Sequence, residues 1–309
     1  MENKPEVSVV VPVYNNGFTL RELVARLSET LEKAGMGFEL IFIDDGSQDE
    51  SLAVLKKCAL ENPQVKVMSF SRNFGQHMAI SAGFESCAGK YIVLMDADLQ
   101  DPPEEIPLMI ESMKSNHTDI TYTIRSGQNN NRVTSKLFHA TFSRIIGEKV
   151  PEAIGTFRVF SRKVLVELLR YREVDVLFGP LMFYMGYKKS YIEIPYVERE
   201  GGNSSYTFSK RLKLAVGSLI SYTDIPHKIN IFVGLFFFVA SLIYSLLILF
   251  NYFVFGSQLP DGMTLLVLMI TIAFGSIMFF LGVIGTYLFR VYRQVLDRPR
   301  YHIDEKINF

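Results

Sequence analysis

The residues best suited to chemistry are Asp96, Asp98 and Gln100, which alternate in one short stretch directly after an apolar run. That run, Tyr91–Leu94, has the pattern of a strand buried on both faces. It would deliver the carboxylates and the amide at its carboxyl end, where open α/β sheets bind ligands. Such oxygen donors suit Mg²⁺ or Mn²⁺, and Mg²⁺ usually shares its coordination shell with substrate phosphates. The alternative is a solvated acidic turn, and the strand end favours a metal site.

Apolar runs and helical patterns alternate around this motif. The runs that predict strands cover residues 7–13, 38–43, 65–70, 91–95, 119–124 and 188–197. Thr19 with Glu22 and Ser47 with Glu50 match the capping box and predict the starts of the first two helices. Strands alternating with helices predict a parallel sheet with right-handed crossovers. Because the first four strands all end in polar loops at one edge, that edge would form a site of nucleotide size.

Composition and missing motifs narrow the choice of ligand. Lys plus Arg and Asp plus Glu number 32 each, so the net charge gives no reason to expect a nucleic-acid partner. No Gly-x-Gly-x-x-Gly follows the first strand and there is no Gly-Lys-Ser/Thr loop, which argues against a dinucleotide fold and a P-loop. Phosphate must be bound in another way, and a metal at Asp96 and Asp98 is the candidate. Cys58 and Cys87 lie in apolar helical patterns and are expected to be buried free thiols.

The last third of the chain has the pattern of a membrane anchor. Residues 229–255 and 263–289 carry no charged side chain, and each segment exceeds the ~20 apolar residues of a membrane span. Residues 207–226 form a basic amphipathic pattern, typical of a helix on a membrane surface. Lys and Arg flank the two segments and are missing from their link, which predicts cytosolic flanks. We therefore expect a multi-pass protein of the inner (plasma) membrane with both termini in the cytosol.

The predicted organisation has four parts. They are a cytosolic catalytic domain (1–206), an amphipathic juxtamembrane helix (207–226), a two-helix transmembrane hairpin (227–290) and a cytosolic basic tail (291–309). Two-span hairpins commonly pack against copies of themselves, so a homo-oligomer is expected.

Together, the motifs resemble those of the inverting family 2 glycosyltransferases of the GT-A fold, and within them the polyprenyl-phosphate group. The resemblance rests on Val-Pro-Val-Tyr-Asn, Asp-Asp-Gly-Ser, Arg-Asn-Phe-Gly, Asp-Ala-Asp-Leu-Gln-Asp-Pro-Pro-Glu, Arg199-x-x-Gly202-x-Ser204-x-Tyr206 and Arg298-Pro299-Arg300-Tyr301. It covers nearly the whole chain. It implies a Rossmann-like, mostly parallel α/β domain followed by an interface helix and two transmembrane helices. The implied reaction moves a sugar from a nucleotide-sugar, with uridine preferred, to undecaprenyl or dolichyl phosphate.

The resemblance also implies roles for individual residues. Nucleotide binding falls to Pro12, Tyr14, Asn16, Asp44 and Asp45. Binding of Mg²⁺ or Mn²⁺ and of the donor diphosphate falls to Asp96, Asp98 and Gln100. Binding of diphosphate and lipid phosphate falls to Arg125, Arg132, Arg199 and Ser205. The catalytic set is Asp96, Asp98, Arg125 and Arg199.

Two positions depart from the family pattern. Asn16 stands where many relatives have Glu, and Thr156 stands where several have an Asp that is proposed as the base. Threonine takes no proton at neutral pH. The reaction does not require a base, because a phosphate monoester has its second pKa near ~6 and is largely a dianion already. The work is then charge neutralisation and positioning by the metal and the arginines.

Three other functions fit the sequence less well. Processive polysaccharide synthases carry a Gln-x-x-Arg-Trp motif, and this chain contains no Trp. A catalytically degenerate membrane scaffold is the non-enzymatic alternative, and it rests on Thr156. A transporter is disfavoured because the two predicted spans contain no charged side chain and so offer no polar path. The sugar itself is left open by the sequence.

Overall fold

The computed structural model describes residues 4–126, 151, 154–171, 177–195, 262–296 and 298–309, together with single residues between 236 and 254. The chain divides into two compact units. Met1–Ser205 and Pro299–Phe309 form the first unit, and Tyr206–Arg298 forms the second. The predicted interface helix (207–226) and most of the first predicted span lie outside the described residues.

Eight strands and seven α-helices are found in the described residues. The strands are β1 (Val7–Val13), β2 (Phe38–Asp44), β3 (Val65–Phe70), β4 (Tyr91–Leu94), β5 (Ile120–Ser126), β6 (Ile154–Ser161), β7 (Lys189–Pro195) and β8 (Ile303–Ile307). The helices are α1 (Gly17–Lys33), α2 (Ser51–Glu61), α3 (Gln76–Ser86), α4 (Ile106–Ser115), α5 (Arg162–Leu168), α6 (Phe178–Tyr184) and α7 (Gly262–Val295). A 3₁₀ turn, Pro103–Glu105, precedes α4.

All eight strands form one sheet in the order β7-β5-β6-β4-β1-β2-β3-β8. The central strands β4, β1, β2 and β3 are mutually parallel, and β5 is parallel to β7. The sheet is therefore an α/β sheet with mostly parallel pairing, as predicted. Two strands depart from this direction, because β6 runs antiparallel between β4 and β5, and β8 runs antiparallel along β3.

The core explains why the central strands contain so few polar residues. Every residue of β1 and β2 is buried, as expected for strands covered by helices on both faces. The α1 helix packs one apolar stripe into the main hydrophobic cluster. That stripe consists of Leu20, Leu23, Val24, Leu27 and Leu31. The apolar spacing in the sequence therefore predicted the buried face of α1 correctly.

The two predicted capping boxes are wrong. The α1 helix begins at Gly17, so Thr19 lies inside its first turn, and the Thr19 hydroxyl donates to the Ala97 carbonyl oxygen at 2.6 Å. The α2 helix begins at Ser51, where Asp49 Oδ1 accepts the Ser51 N–H at 3.0 Å. At α1, a tertiary contact uses the Thr19 hydroxyl instead of the predicted cap. At α2, the Asp49 side chain accepts the first N–H in place of Ser47.

The second unit contains α7. Considering only the part of the chain that the structure describes, no helix meets the length and hydropathy expected of a membrane span. The interface helix and the transmembrane helices stay predictions.

Candidate active site

Three neighbouring strands bring the predicted site residues to one edge of the sheet. Val13 of β1 pairs with Asp44 of β2, and Val10 pairs with Leu94 of β4. Because these strands are parallel, the loops that follow them emerge side by side. The edge therefore collects the predicted nucleotide residues and the Asp-x-Asp motif, as expected for the carboxyl end of an open α/β sheet.

Hydrogen bonds join the loops after β1 and β2. The Asn15 N–H donates to Ser47 Oγ at 3.0 Å, and Asn15 Oδ1 accepts the Gln48 N–H at 2.8 Å. The Asn16 N–H donates to Ser51 Oγ at 2.9 Å. Asn15 adopts φ +54°, a left-handed conformation that Asn tolerates better than most residues. These contacts fix the backbone on either side of the predicted nucleotide site.

The other predicted nucleotide residues differ in exposure. Pro12 is buried within β1, whereas Asn16 is half-buried at the start of α1. Tyr14 is 45 % exposed at the end of β1, so its ring is accessible to a ligand.

Asp44 and Asp45 are both buried, and burial raises the pKa of each carboxyl group. Asp44 Oδ2 accepts the Ser47 N–H at 3.2 Å. Asp45 binds the β3–α3 loop (residues 71–75), because its oxygens accept the N–H groups of Phe74 at 2.7 Å and Gly75 at 2.9 Å. Asp45 therefore shapes this side of the site through backbone contacts.

Gly46 lies where this loop approaches most closely. Its φ is +68°, and a Cβ added there would lie 2.5 Å from the carbonyl carbon of Arg72. Only glycine fits this combination of left-handed backbone and close approach. The close approach of Arg72 therefore explains why the Asp-Asp-Gly-Ser motif has glycine at its third position.

The Asp-x-Asp segment is held from both sides. Asp96 Oδ1 accepts a hydrogen bond from Gln76 Nε2 at 2.9 Å, which ties the motif to the start of α3. Asp98 Oδ1 accepts the Gln100 N–H at 3.2 Å across Leu99, whose φ is +59°. With the contact from Thr19 to Ala97, these bonds fix the segment in a tight turn.

The donor set fits a hard divalent cation that is shared with a phosphate ligand. Within the described ranges, no group of three or more His, Cys, Asp or Glu side chains has the arrangement of a metal site. The predicted set supplies two carboxylates and one amide oxygen, fewer ligands than Mg²⁺ requires. Mg²⁺ is usually held by one or two carboxylates together with substrate phosphates, so the residues fit that mode of binding.

Arg158 is a buried cation near the candidate site that the sequence did not single out. It lies on β6 with 7 % of its surface exposed, and its guanidinium lies 5.3 Å from the ring centre of Tyr122. Its Nε donates to the Thr156 carbonyl oxygen at 2.8 Å. Burial lowers the pKa of Arg158, whereas Tyr122 and the carboxylates of Asp96 and Asp101 oppose that shift. Since arginine stays protonated in proteins, a fixed positive charge supports both the Asp-x-Asp motif and the Thr156 segment.

His77 adds a pH-sensitive group next to this charge. Burial and the neighbouring Arg158 lower its pKa, and the described residues give its Nδ1 no hydrogen-bond partner. Below about pH 6.5 the unfolded chain therefore binds a proton at His77, whereas the folded chain binds it only at lower pH. This contribution to stability is complete above pH 6.5 and is lost as the pH falls toward the lower pKa of the folded protein.

We expect the free energy of unfolding to fall between pH 7.5 and pH 5.5, by up to about 1.4 kcal/mol per pH unit from this one proton. In the His77→Gln variant the fall should be smaller, because no imidazole titrates there. Unfolding measured by thermal shift at both pH values checks this. The exposed His117, changed to Asn, is the control. An identical pH dependence in His77→Gln and wild type would contradict the assignment.

The predicted basic groups are largely outside the described part of the chain. Arg125 lies on β5, where its backbone pairs with Ile194 of β7. Arg132, Arg199 and Ser205 fall in residues that the structure does not describe. Their roles in binding diphosphate and lipid phosphate therefore stay predictions.

Comparison with known proteins identifies the family. Residues 8–169 match glycosyl transferase family 2. The uncharacterized glycosyltransferase YkcC of Bacillus subtilis is 32 % identical over 309 residues, covering 99 % of this chain and 95 % of that protein. The undecaprenyl-phosphate 4-deoxy-4-formamido-L-arabinose transferase of Pseudomonas syringae is 31 % identical, with coverage of 97 % and 90 %. The chain belongs to glycosyl transferase family 2, is a glycosyltransferase, and fits the polyprenyl-phosphate group.

A solved structure agrees on the fold. Mannosyl-3-phosphoglycerate synthase from Rubrobacter xylanophilus superimposes with a TM-score of 0.51 at 14 % identity, over 72 % of this chain and 75 % of that one. The similarity supports the GT-A fold of the first unit, which sequence analysis predicted.

Proposed function

We propose that the protein is a membrane-bound inverting glycosyltransferase that moves one sugar from a nucleotide-sugar to a polyprenyl phosphate. The observation that carries the proposal is the Asp-x-Asp motif, fixed at the carboxyl edge of the sheet beside the loops after β1 and β2. Relatives named as undecaprenyl-phosphate transferases align over nearly the whole chain, which supports the acceptor class.

The donor would bind across the loops after β1, β2 and β4. Asp96, Asp98 and Gln100 would hold Mg²⁺ or Mn²⁺, which would neutralise the donor diphosphate. Tyr14 is exposed beside this edge and suits contact with the nucleobase of the donor. Asp45 keeps the β3–α3 loop in place. The chain thereby binds and orients the leaving group.

The acceptor would attack without a protein base. A phosphate oxygen of the lipid forms a bond to the anomeric carbon while the bond to the nucleoside diphosphate breaks on the opposite side. The lipid phosphate is already largely dianionic near neutral pH, so no proton has to be removed. The chain must bring two anions together, which is the role proposed for Arg125, Arg132, Arg199 and Ser205.

We expect Thr156→Ala to lower the rate by less than about tenfold, because one hydrogen bond contributes about 1 kcal/mol net. Arg199→Ala should cost more, since the two anions would then meet with less compensation. Initial rates from pH 5 to 8 check this, and wild-type activity should rise through the acceptor ionisation near ~6. A manyfold gain in Thr156→Asp would show that a base was needed after all.

The membrane-bound part of the proposal rests on the sequence and on α7. The two uncharged segments are longer than the ~20 residues of a span. On α7, apolar side chains at helical spacing are exposed, among them Leu281 (54 %), Ile284 (58 %) and Leu288 (66 %). Such a face favours an apolar environment. We propose a hairpin in the plasma membrane, with the sheet and both termini in the cytosol and with self-association through the hairpin.

We expect a cysteine at Ser257 to react with an impermeant thiol reagent in intact cells, and a cysteine at Asn3 not to react. Background labelling should be low, because Cys58 and Cys87 are buried and burial raises both thiol pKa values, that of Cys87 to about 12. Gel-shift labelling before and after lysis measures this. The reverse pattern would overturn the orientation.

Incubation with radiolabelled nucleotide-sugars and undecaprenyl phosphate tests the function directly. Label extracted into the lipid phase with one donor of the panel supports the proposal and identifies the sugar. Label in a long polymer would favour a processive synthase instead. Lipid binding without transfer from any donor would favour the scaffold.

A further inference from the structure

The C-terminal segment forms part of the sheet that carries the site. Strand β8 pairs antiparallel with β3, with Val67 opposite Ile307 and Ser69 opposite Glu305. Asn308 Nδ2 donates to the carbonyl oxygens of Ala59 and Val65, each at 2.8 Å. These contacts anchor the segment at its far end. The residues just before β8 lie at the opposite end of β3, where the β3–α3 loop begins.

Residues 300–302, here called the C-terminal clamp, contact that loop directly. The Tyr301 ring stacks on Phe70 with centroids 4.8 Å apart and 18° between the planes. The Ser71 N–H donates to the His302 carbonyl oxygen at 3.1 Å. The His302 ring also lies 6.0 Å from the ring of Phe74. The clamp therefore touches both the start of the loop and its aromatic residue.

Glu85 on α3 fixes the clamp from the other side. The Tyr301 hydroxyl donates to Glu85 Oε2 at 2.7 Å, and Arg300 Nη2 donates to Glu85 Oε1 at 3.1 Å. Burial and the nearby Glu85 raise the pKa of Tyr301, so the phenol stays a neutral donor. The clamp thus connects the end of β3 to the helix that follows the loop.

The loop and the first residue of α3 in turn contact two acidic residues of the candidate site. Its Phe74 and Gly75 N–H groups donate to Asp45, and α3 begins directly after it with Gln76, which donates to Asp96. The clamp therefore connects to Asp45 through the loop, which His302 contacts, and to Asp96 through α3, whose Glu85 accepts the Tyr301 hydroxyl. A strand that merely covers an edge needs only backbone pairing. The aromatic stack and the paired donors to Glu85 go beyond that need.

We propose that the C-terminal clamp positions the β3–α3 loop so that Asp45 and Asp96 are held in the conformation that binds the nucleotide-sugar donor. This inference rests on the proposed function for its donor. The clamp residues are positioning residues, because they act through the loop and α3 and do not touch Asp45 or Asp96.

The full-length protein with Tyr301→Ala tests the proposal. We expect the donor KM to rise by about tenfold, because an aromatic stack and a hydrogen bond to a carboxylate are lost. The acceptor KM should be unchanged. Tyr301→Phe keeps the stack and loses only the hydroxyl. Its donor KM should therefore lie between those of wild type and Tyr301→Ala. Phe309→Ala is the control, since it removes a ring of the same segment that contacts Lys66 and Lys306.

Hydrogen–deuterium exchange gives a readout that needs no substrate. The amides of residues 73–75 should exchange faster in Tyr301→Ala than in wild type or Phe309→Ala. If Tyr301→Ala does not fold, Tyr301→Phe carries the same comparison. Unchanged exchange, or a donor KM equal to that of Phe309→Ala, overturns the clamp. If the amides exchange faster in Tyr301→Ala but the wild-type protein transfers no sugar, only the proposed function is refuted.

Discussion

Asp98→Ala should lower kcat/KM by roughly a thousandfold or more and leave the fold intact. A bound metal ion supplies several kcal/mol of charge stabilisation in such reactions, and each 1.4 kcal/mol is a factor of ten in rate. Without one of the two carboxylates, the metal would no longer be held to neutralise the negative charge of the donor diphosphate. The fold should survive, because Asp98 is only half-buried in the loop after β4, and its Oδ1 accepts a local hydrogen bond from the Gln100 N–H.

Transfer assays with added Mn²⁺ or Mg²⁺ and with excess chelator measure this effect. Glu104→Ala is the matched control, since it removes a carboxylate that follows the Asp-x-Asp segment and pairs with Arg26 on the surface. It should retain activity near the wild-type value, because exposed ion pairs contribute little. Full activity of Asp98→Ala, or of wild type in excess chelator, would refute the metal assignment.

Asp45→Asn should raise the donor KM by roughly ten- to hundredfold. Both oxygens of Asp45 accept backbone N–H groups from the β3–α3 loop. Asparagine offers one acceptor oxygen and an NH₂ group, so one buried N–H would face another donor. An unsatisfied buried donor costs about 1–3 kcal/mol, and the loop would leave its position. Asp45 therefore matters for donor binding through the backbone that it holds.

Donor titrations at saturating acceptor measure this effect, together with the melting temperature. Asp119→Asn is a suitable control, since Asp119 pairs with Lys163 at the opposite edge of the sheet. A variant that melts as wild type and keeps its donor KM would show that the loop does not depend on Asp45. In that case residues other than Asp45 would have to hold the nucleotide site in place.

The central sheet was predictable because its signals are local. The runs in β1 to β4 are almost wholly apolar, and each is followed by a polar loop, so their parallel arrangement follows from the sequence alone. The convergence of Asp44, Asp45 and Asp96 at one edge follows from the same pattern. The family motifs then gave chemical roles to residues that the fold brings together.

The edge strand β8 was missed for an equally physical reason. Its sequence, Ile-Asp-Glu-Lys-Ile, is mostly charged, and its side chains are exposed or half-buried. An edge strand has little apolar burial to reveal it, and only pairing with β3 stabilises its extended form. From the sequence, this segment is therefore predicted only as a basic tail.

The sequence by itself determined the class of fold, the edge at which the candidate site residues collect and the oxygen donors that they offer, because apolar period and strand-end position are local properties. The tertiary structure alone decided which groups support those donors. Gln76 of α3 donates directly to Asp96, Arg158 of β6 lies against Tyr122, and Tyr301 of the C-terminal clamp acts indirectly through Glu85 of α3. Each of these contacts joins residues that are far apart in the chain. Such contacts leave no periodic signal, since they are fixed only when the sheet has assembled its strands out of sequence order.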